Sequence, residues 1–360
     1  MKILITTNTI QDKTGTYIVL KNVIPHLMKN NEVTILTNQC DVDIKCNKLV
    51  QLPTSNIFSQ YYFTSGLSKL LRDGFFNDFD IIHAFEYPLH TTDFLTLKKS
   101  QFNAPLLISP HGSLHEFNSF PLNYLKKIHN YFMLRYKDNV SNYPACSVAE
   151  KKYLIEYGID ENKILYVPLG VISLKLDFTK RIGKNITYIG RLTKTKNVEL
   201  LIKAFAQLEN TDANLTIAGP DYGELDMLKN LVQKLKIENK VIFTGWISEK
   251  EKIDLLSKTS IFVHPSLEDI FSLSLAETSA SGVPVIAFDG TGTSEIITDM
   301  VTGTIVKERN LESLKNAMDY ILNNPDLITK FSENGRLLTT KKYNWLQTAS
   351  DFQNLYSSLI

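Results

Sequence analysis

Apolar runs and amphipathic stretches alternate along the whole of this chain. Lys2–Thr6 is short and rich in Ile and Leu, the pattern of a strand buried on both faces. Past the loop 7–15, Ile18, Val19, Val23, Leu27 and Met28 recur at helical spacing, and Pro25 is expected to kink or interrupt that helix. Asn30-Asn31 ends it and Glu32–Thr37 reads as the next buried strand, so the chain opens β-α-β and predicts a parallel sheet. Residues 79–84 (F-D-I-I-H-A), 105–109, 143–147 and 164–167 read as further strands, the last two flanking a helix over 150–157. A stretch at 172–183, with Lys175, Lys180 and Arg181, reads as a linker. Beyond it the alternation restarts, with strands at Asn185–Ile189, 215–219 and Val241–Gly245 and a helix carrying Leu200, Leu201, Ala204, Phe205 and Leu208.

The stretch that organises the second half runs over 263–297. Ile261–His264 is a β-rich run ended by Pro265-Ser266. From Ser272, the residues Leu273, Leu275, Ala276 and Ala280 suit a short helix on a sheet, Ser281-Gly282 closes it, and 283–288 is the next buried strand. Glu277 therefore lies mid-helix among small and apolar neighbours, where a carboxylate is costly without a partner. Asp269, eight residues earlier, lies in the loop feeding the helix start, whose free N–H groups and dipole suit phosphate. The pattern describes a nucleotide-sugar site.

Composition narrows the class. A chain of 360 residues, 43% apolar and 21% charged, is globular and long for one core, so two domains are expected. A net charge of +1 and a pI near 7.6 argue against a general nucleic-acid binder. Cys40, Cys46 and Cys146 cannot all pair and match no metal or redox spacing, which suits a reduced, cytoplasmic setting. The apolar run at Met1-Lys2-Ile3-Leu4-Ile5 is too short for a signal peptide, and no stretch approaches the roughly 18 apolar residues of a spanning helix. A soluble protein, at most peripheral to a membrane, is expected.

Other candidate chemistry is scattered. Gly190-Arg191-Leu192-Thr193-Lys194-Thr195-Lys196-Asn197 is a strand-to-helix loop whose Arg191 and Lys196 suit phosphate oxygens or are ordinary surface charge, while Lys194 reads as surface charge. His111 follows a strand's C-terminal end, where open α/β sheets bind ligands, and on the residues alone also fits a structural loop histidine. The fingerprint G-x-G-x-x-G is absent after the first strand, and Gly15 alone also fits a plain helix-start glycine. His83 reads as a satisfied strand-end residue, and His115 has no assigned role. Asp41-Val42-Asp43 and Asp78-Phe79-Asp80 read as structural rather than as D-x-D metal sites. Residues 58–76 and 117–136 are rich in Tyr and Phe, with Lys126, Lys127, Arg135 and Lys137 in or beside the second. They read as helix faces packed on the sheet, or as aromatic platforms for a sugar acceptor, or as a patch touching an anionic membrane.

At these residues the chain resembles the retaining GT-B glycosyltransferases of family 4. Their signature places two acids with seven residues between them, F-G-L among these, then E-A-M-A-x-G-x-P-V-I and G-G-x-x-E. Asp269, Phe271-Ser272-Leu273, Glu277-Thr278-Ser279-Ala280, Gly282, Pro284-Val285-Ile286 and Thr291-Gly292 to Glu295 fill those places. Asp269 departs from the usual Glu, with Glu268 one position out of register; Ser272 departs from the usual Gly, and Thr291 stands where a Gly is usual. Arg191 and Lys196 fit the family's G-R-L-x-x-x-K-G, with Asn197 for the last Gly, and Pro168-Leu169-Gly170-Val171 resembles the P-N-G-V turn ending its first domain.

The resemblance implies an α/β fold of GT-B architecture, two Rossmann-like domains facing each other across a cleft. The N-terminal acceptor domain would span 1–172, completed by a closing helix at about 345–360, and the donor domain 173–344. It implies a glycosyltransferase (EC 2.4 class) moving sugar from a nucleotide-diphosphate sugar to a glycan, lipid-linked or other hydroxyl acceptor in cell-surface polysaccharide or glycolipid synthesis. Arg191 and Lys196 would grip the diphosphate, Gly15 approach it, and Gly245, Trp246 and Ile247 read the base. Asp269 and His111 would hold the donor sugar, Glu277 the ribose, and Phe271, Ser272 and Leu273 line the donor site. Retention implies front-face attack with the leaving phosphate as base, with no cofactor and no bound metal. The alternatives are another GT-B activity such as an epimerase or phosphorylase, a non-catalytic two-domain small-molecule binder, or a degenerate transferase.

Overall fold

The computed structural model describes residues 1–12, 14–58, 61–87, 89–112, 122–181, 183–209, 212–290 and 292–360. His115, Thr291 and the opening of the aromatic stretch at Phe117 lie outside the described residues. The chain divides into two compact units, Met1–Gly170 with Trp345–Ile360, and Val171–Asn344.

In the first unit, β1 (Lys2–Thr6), β2 (Glu32–Thr37), β3 (Lys48–Gln51), β4 (Ile81–Phe85) and β5 (Leu106–Ser109) form a sheet of order β3-β2-β1-β4-β5, with every pairing parallel. Ile3, Leu4, Ile5, Ile81 and Ile82 are wholly buried, as strands covered on both faces require. The chain winds outward through β2 and β3, then returns to the other side of β1 as β4. The switch between β1 and β4 is where such sheets open a crevice at their C-terminal edge.

Helix α1 (Gly15–Leu27) starts at Thr14, whose hydroxyl accepts from the Tyr17 N–H at 3.3 Å. Pro25 does not interrupt α1, which continues through it to Leu27. Proline there falls in the last turn, so the missing N–H removes a bond only where the helix is already ending. The closing helix Trp345–Ser357 completes this unit. Tyr356 Oη lies 2.7 Å from His83 Nδ1, His83 Nε2 lies 2.8 Å from Ser109 Oγ, and Phe352 packs on both His83 and Phe85. His83 is thus a satisfied core histidine.

The second unit repeats the scheme. Strands β6 (Asn185–Ile189), β7 (Asn214–Ala218), β8 (Val241–Gly245), β9 (Ile261–His264), β10 (Val285–Phe288) and β11 (Gly303–Val306) form a sheet of order β8-β7-β6-β9-β10-β11, again parallel throughout. The alternation along β9 sends Ile261 and Val263 into one core layer and Phe262 into the other. The switch lies between β6 and β9. Beside it, the ends of β6 and β7 come close enough that a Cβ on Gly219 would run into the carbonyl of Gly190, so that corner is packed backbone on backbone.

Candidate active site

Two loops meet at the second unit's switch point: the one leaving β6, with Arg191 and Lys196, and the one leaving β9, with Asp269. They are tied by the Leu267 N–H donating to Thr195 O at 2.9 Å. The second loop is held from behind by the Gly292 N–H donating to Asp269 O at 2.7 Å. A Cβ on Gly292 would collide with Ile270 O, which accounts for glycine in the G-x-x-E motif.

Lys196 Nζ lies 2.6 Å from Asp269 Oδ2, and His264 Nε2 lies 2.8 Å from the same oxygen. The Lys196 and Asp269 side chains are only 13% and 15% exposed. Burial alone would push the Asp269 carboxyl upward, but the Lys196 ammonium and the His264 N–H together hold it well below the usual carboxylate range. Asp269 is therefore an anion over the working pH range, and Lys196 is compensated by it. Arg191 differs: its guanidinium is exposed, stands 5.6 Å from the Tyr222 ring, and has no carboxylate or hydrogen-bond partner among the described residues.

Helix α5 (Leu273–Ala280) begins beside this pair. Ser272 caps it, its hydroxyl accepting from the Leu275 N–H at 3.4 Å, so the position where glycine is usual serves here as N-cap. The other end is closed by arginines: Arg336 donates to Ser281 O at 3.1 Å and Arg181 to Gly282 O at 3.4 Å, cations at the negative end of the dipole. Glu277 is buried in the middle of α5, and its counter-charge is Lys252 of α4 (Glu249–Lys258; α3 is Val198–Phe205), with Nζ 2.9 Å from Oε2. Among the described residues Oε1 accepts no hydrogen bond, which leaves one carboxylate oxygen for a ligand hydroxyl. Replacing Glu277 with Gln should therefore weaken donor binding by roughly ten- to a hundredfold, the worth of a charged hydrogen bond. Titration calorimetry on the folded variant checks this, and unchanged affinity would remove Glu277 from ligand binding.

Leu273 occupies the first position of α5, while Phe271 packs its ring edge-on against Tyr343, 5.2 Å away, and is anchored in the core layer under α5. Gly245, with φ of 71°, ends β8 and its carbonyl accepts from the Gly219 N–H at 2.7 Å; Trp246 beyond it is half exposed. These residues share the C-terminal edge of the sheet with Arg191 and Asp269.

In the first unit, Gly15 opens α1 just past the end of β1. His111, past β5, has φ of 50° and stacks on Phe85 at 5.3 Å. Burial pulls its pKa down to about 4, so the ring is neutral, and its Nε2 has no hydrogen-bond partner among the described residues. The turn is pinned by buried Glu150, which accepts from the N–H groups of Gly112 and Cys146 at 2.6 and 2.8 Å. Glu86, next to Phe85, is a residue the sequence reading missed. It has φ of 77°, a strained value for glutamate, and accepts from Thr16 Oγ1 at 2.5 Å and Thr7 Oγ1 at 3.2 Å, locking the loop that carries Gly15. Lys252 and His264 were missed as well. The one visible signal was a polar histidine ending the apolar run of β9.

Residues 14–172 match the model of Glycosyltransferase Family 4, and residues 179–338 match that of Glycosyl transferases group 1. The O-antigen chain mannosyltransferase C of Escherichia coli is 24% identical over 300 residues, 79% of this chain and 76% of that protein. An uncharacterized glycosyltransferase of Methanocaldococcus jannaschii is 31% identical over 189 residues, so the chain spans about half (48%) of that relative's length. Among solved structures, sucrose-phosphate synthase from Thermosynechococcus elongatus superposes with a TM-score of 0.82 at 19% identity, covering 99% of this chain and 98% of that one. Anabaena HepE in complex with UDP and glucose gives 0.80 at 18%, covering 99% and 100%. The chain belongs to the group 1 glycosyl transferases, and its fold is GT-B.

Proposed function

We propose that the protein is a retaining glycosyltransferase that moves a sugar from a nucleotide-diphosphate sugar to a hydroxyl of a glycan or lipid-linked acceptor, at the cytoplasmic face of a membrane, in polysaccharide or glycolipid synthesis. The observation that carries this reading is the charge arrangement at the second unit's switch point: the Lys196–Asp269 pair and, among the described residues, an Arg191 without a counter-charge and a Glu277 with one carboxylate oxygen unengaged.

In this reading Arg191, Lys196 and the start of α5 take up the charge that grows on the diphosphate. Glu277 accepts from ribose hydroxyls, and Asp269 from a hydroxyl of the donor sugar. Neutral His111, in the first unit, can offer a ligand a hydrogen bond but no charge. The bond from the anomeric carbon to the phosphate oxygen breaks, the acceptor oxygen bonds to that carbon on the same face, and the acceptor's proton goes to the departing phosphate. The two cations supply positive charge at the leaving group without a metal. Screening UDP-glucose, UDP-N-acetylglucosamine and GDP-mannose by thermal shift, then following nucleoside diphosphate release with and without EDTA, tests the reading. Stabilisation with EDTA-resistant release is expected; release that returns only with added Mg²⁺ or Mn²⁺ would contradict the metal-free part, and no response to any nucleotide sugar would contradict the whole.

No helix among the described residues is long and apolar enough to cross a membrane. The outward face of α2 (Leu122–Met133) and the turn after it nevertheless carries Tyr124, Lys127, Ile128, Tyr131, Phe132, Arg135 and Tyr136. Tyr131 is 62% and Phe132 55% exposed, with the Arg135 guanidinium over both rings. Aromatic residues interleaved with cations suit an anionic lipid surface, which supports a membrane-borne acceptor. The protein should co-sediment with phosphatidylglycerol vesicles and not with phosphatidylcholine vesicles, and Tyr131→Ser with Phe132→Ser should abolish it. Equal recovery from both lipids would argue for another use of this face.

A further inference from the structure

His264 ends β9 and is buried, with 1% of its surface exposed. Among the described residues its ring makes one side-chain hydrogen bond, from Nε2 to Asp269 Oδ2 at 2.8 Å. An ionised carboxylate only accepts, so Nε2 carries the hydrogen and Nδ1 is the bare acceptor. Burial lowers the ring's pKa despite the neighbouring carboxylate, in keeping with a neutral imidazole. Nδ1 is itself buried and has no partner among the described residues. An apolar side chain at the end of this buried strand would avoid that unsatisfied acceptor, so the fold gains little from histidine here. What histidine adds is a donor to Asp269 Oδ2 beside Lys196.

Such a donor matters because Asp269 shares Lys196 with the donor. In the resting arrangement the lysine compensates Asp269 at 2.6 Å. A diphosphate bound beside the β6 loop competes for the same ammonium, and a largely buried carboxylate losing its cation would turn toward other donors or take up a proton. We propose that His264 is a positioning residue for sugar transfer: its Nε2–H holds Oδ2 of Asp269, keeping the carboxylate ionised and oriented for the donor sugar while Lys196 is drawn to the diphosphate. This inference rests on the reading of Asp269 as a sugar contact.

The test compares His264→Leu, which removes the donor, with His264→Gln, whose side-chain amide can replace Nε2–H, and with Asp269→Ala. Each is assayed for thermal stability, for affinity toward UDP and GDP, and for kcat and KM with whichever of UDP-glucose, UDP-N-acetylglucosamine and GDP-mannose the wild type turns over. In His264→Leu, kcat/KM should fall by about ten- to a hundredfold while Tm does not drop and nucleoside diphosphate affinity stays within about twofold; His264→Gln should recover most of the rate. If His264→Leu loses Tm and rate together and His264→Gln restores neither, the histidine is structural and the proposal is overturned. If Asp269→Ala is inactive while His264→Leu turns over normally, the role of His264 falls and the sugar contact stands. Full activity in Asp269→Ala would overturn the underlying reading, and this one with it.

Discussion

Replacing Arg191 with alanine should leave the fold intact and lower kcat by about a hundred- to a thousandfold. Among the described residues its guanidinium makes no hydrogen bond or ion pair, and the residue is exposed, so the folded state loses little when it is removed. In the proposed reaction Arg191 is a preorganised cation at the point where diphosphate charge develops, and deletion of one such group typically costs about 2.7–4 kcal/mol in the barrier. Arg191→Lys should recover only part of the rate, because an ammonium cannot grip two phosphate oxygens as a planar fork does. Stopped-flow or steady-state release of nucleoside diphosphate, beside a thermal melt, measures both halves of the expectation. A near-normal rate in Arg191→Ala would mean that the phosphates are held elsewhere.

Asp269→Asn should be as damaging to turnover and, unlike the arginine change, should also destabilise the protein. The amide keeps the shape but leaves Lys196 without its counter-ion at a site where both side chains are largely buried, and removing one member of a buried pair costs about 3–5 kcal/mol. His264 would then face an amide that can present either its oxygen or its NH₂ group. Asp269→Glu is the complementary probe. Oδ2 is already gripped by two donors, so an extra methylene must push the carboxylate past them, and activity should fall even though the family's usual residue is restored. A melting temperature unchanged in Asp269→Asn would contradict the ion pair, and a full rate in both variants would contradict the role in transfer.

The parallel sheets were legible because buried strands such as Ile81–Phe85 and Val285–Phe288 announce themselves by unbroken apolar runs of the right length. Glu277 and Asp269 stood out because carboxylates in an apolar helix and at a helix start need an explanation. Their partners did not stand out. Lys252 reaches Glu277 from another helix, and His264 reaches Asp269 across a loop, so each pairing exists only once the sheet sets those elements side by side. Ser272 looked like a lost glycine in one dimension and is an N-cap in three. Glu86 was invisible for the same reason: its partners Thr7 and Thr16 lie on the far side of the β1–β4 switch, 79 and 70 residues away along the chain. Pro25 does not interrupt its helix because it falls in the last turn, a position that the spacing of apolar residues alone did not mark.

The central claim is transfer with retention from a nucleotide sugar, and the anomeric proton of the sugar reports on it directly. The protein is incubated with the nucleotide sugar that stabilises it and a panel of glycan and lipid-linked hydroxyl acceptors, and the reaction is followed by proton NMR. The account predicts that the donor's anomeric doublet disappears together with release of nucleoside diphosphate, and that the first-formed product has the same anomeric configuration as the donor. A first-formed product of opposite configuration, or tight binding with the donor signal unchanged, would contradict it.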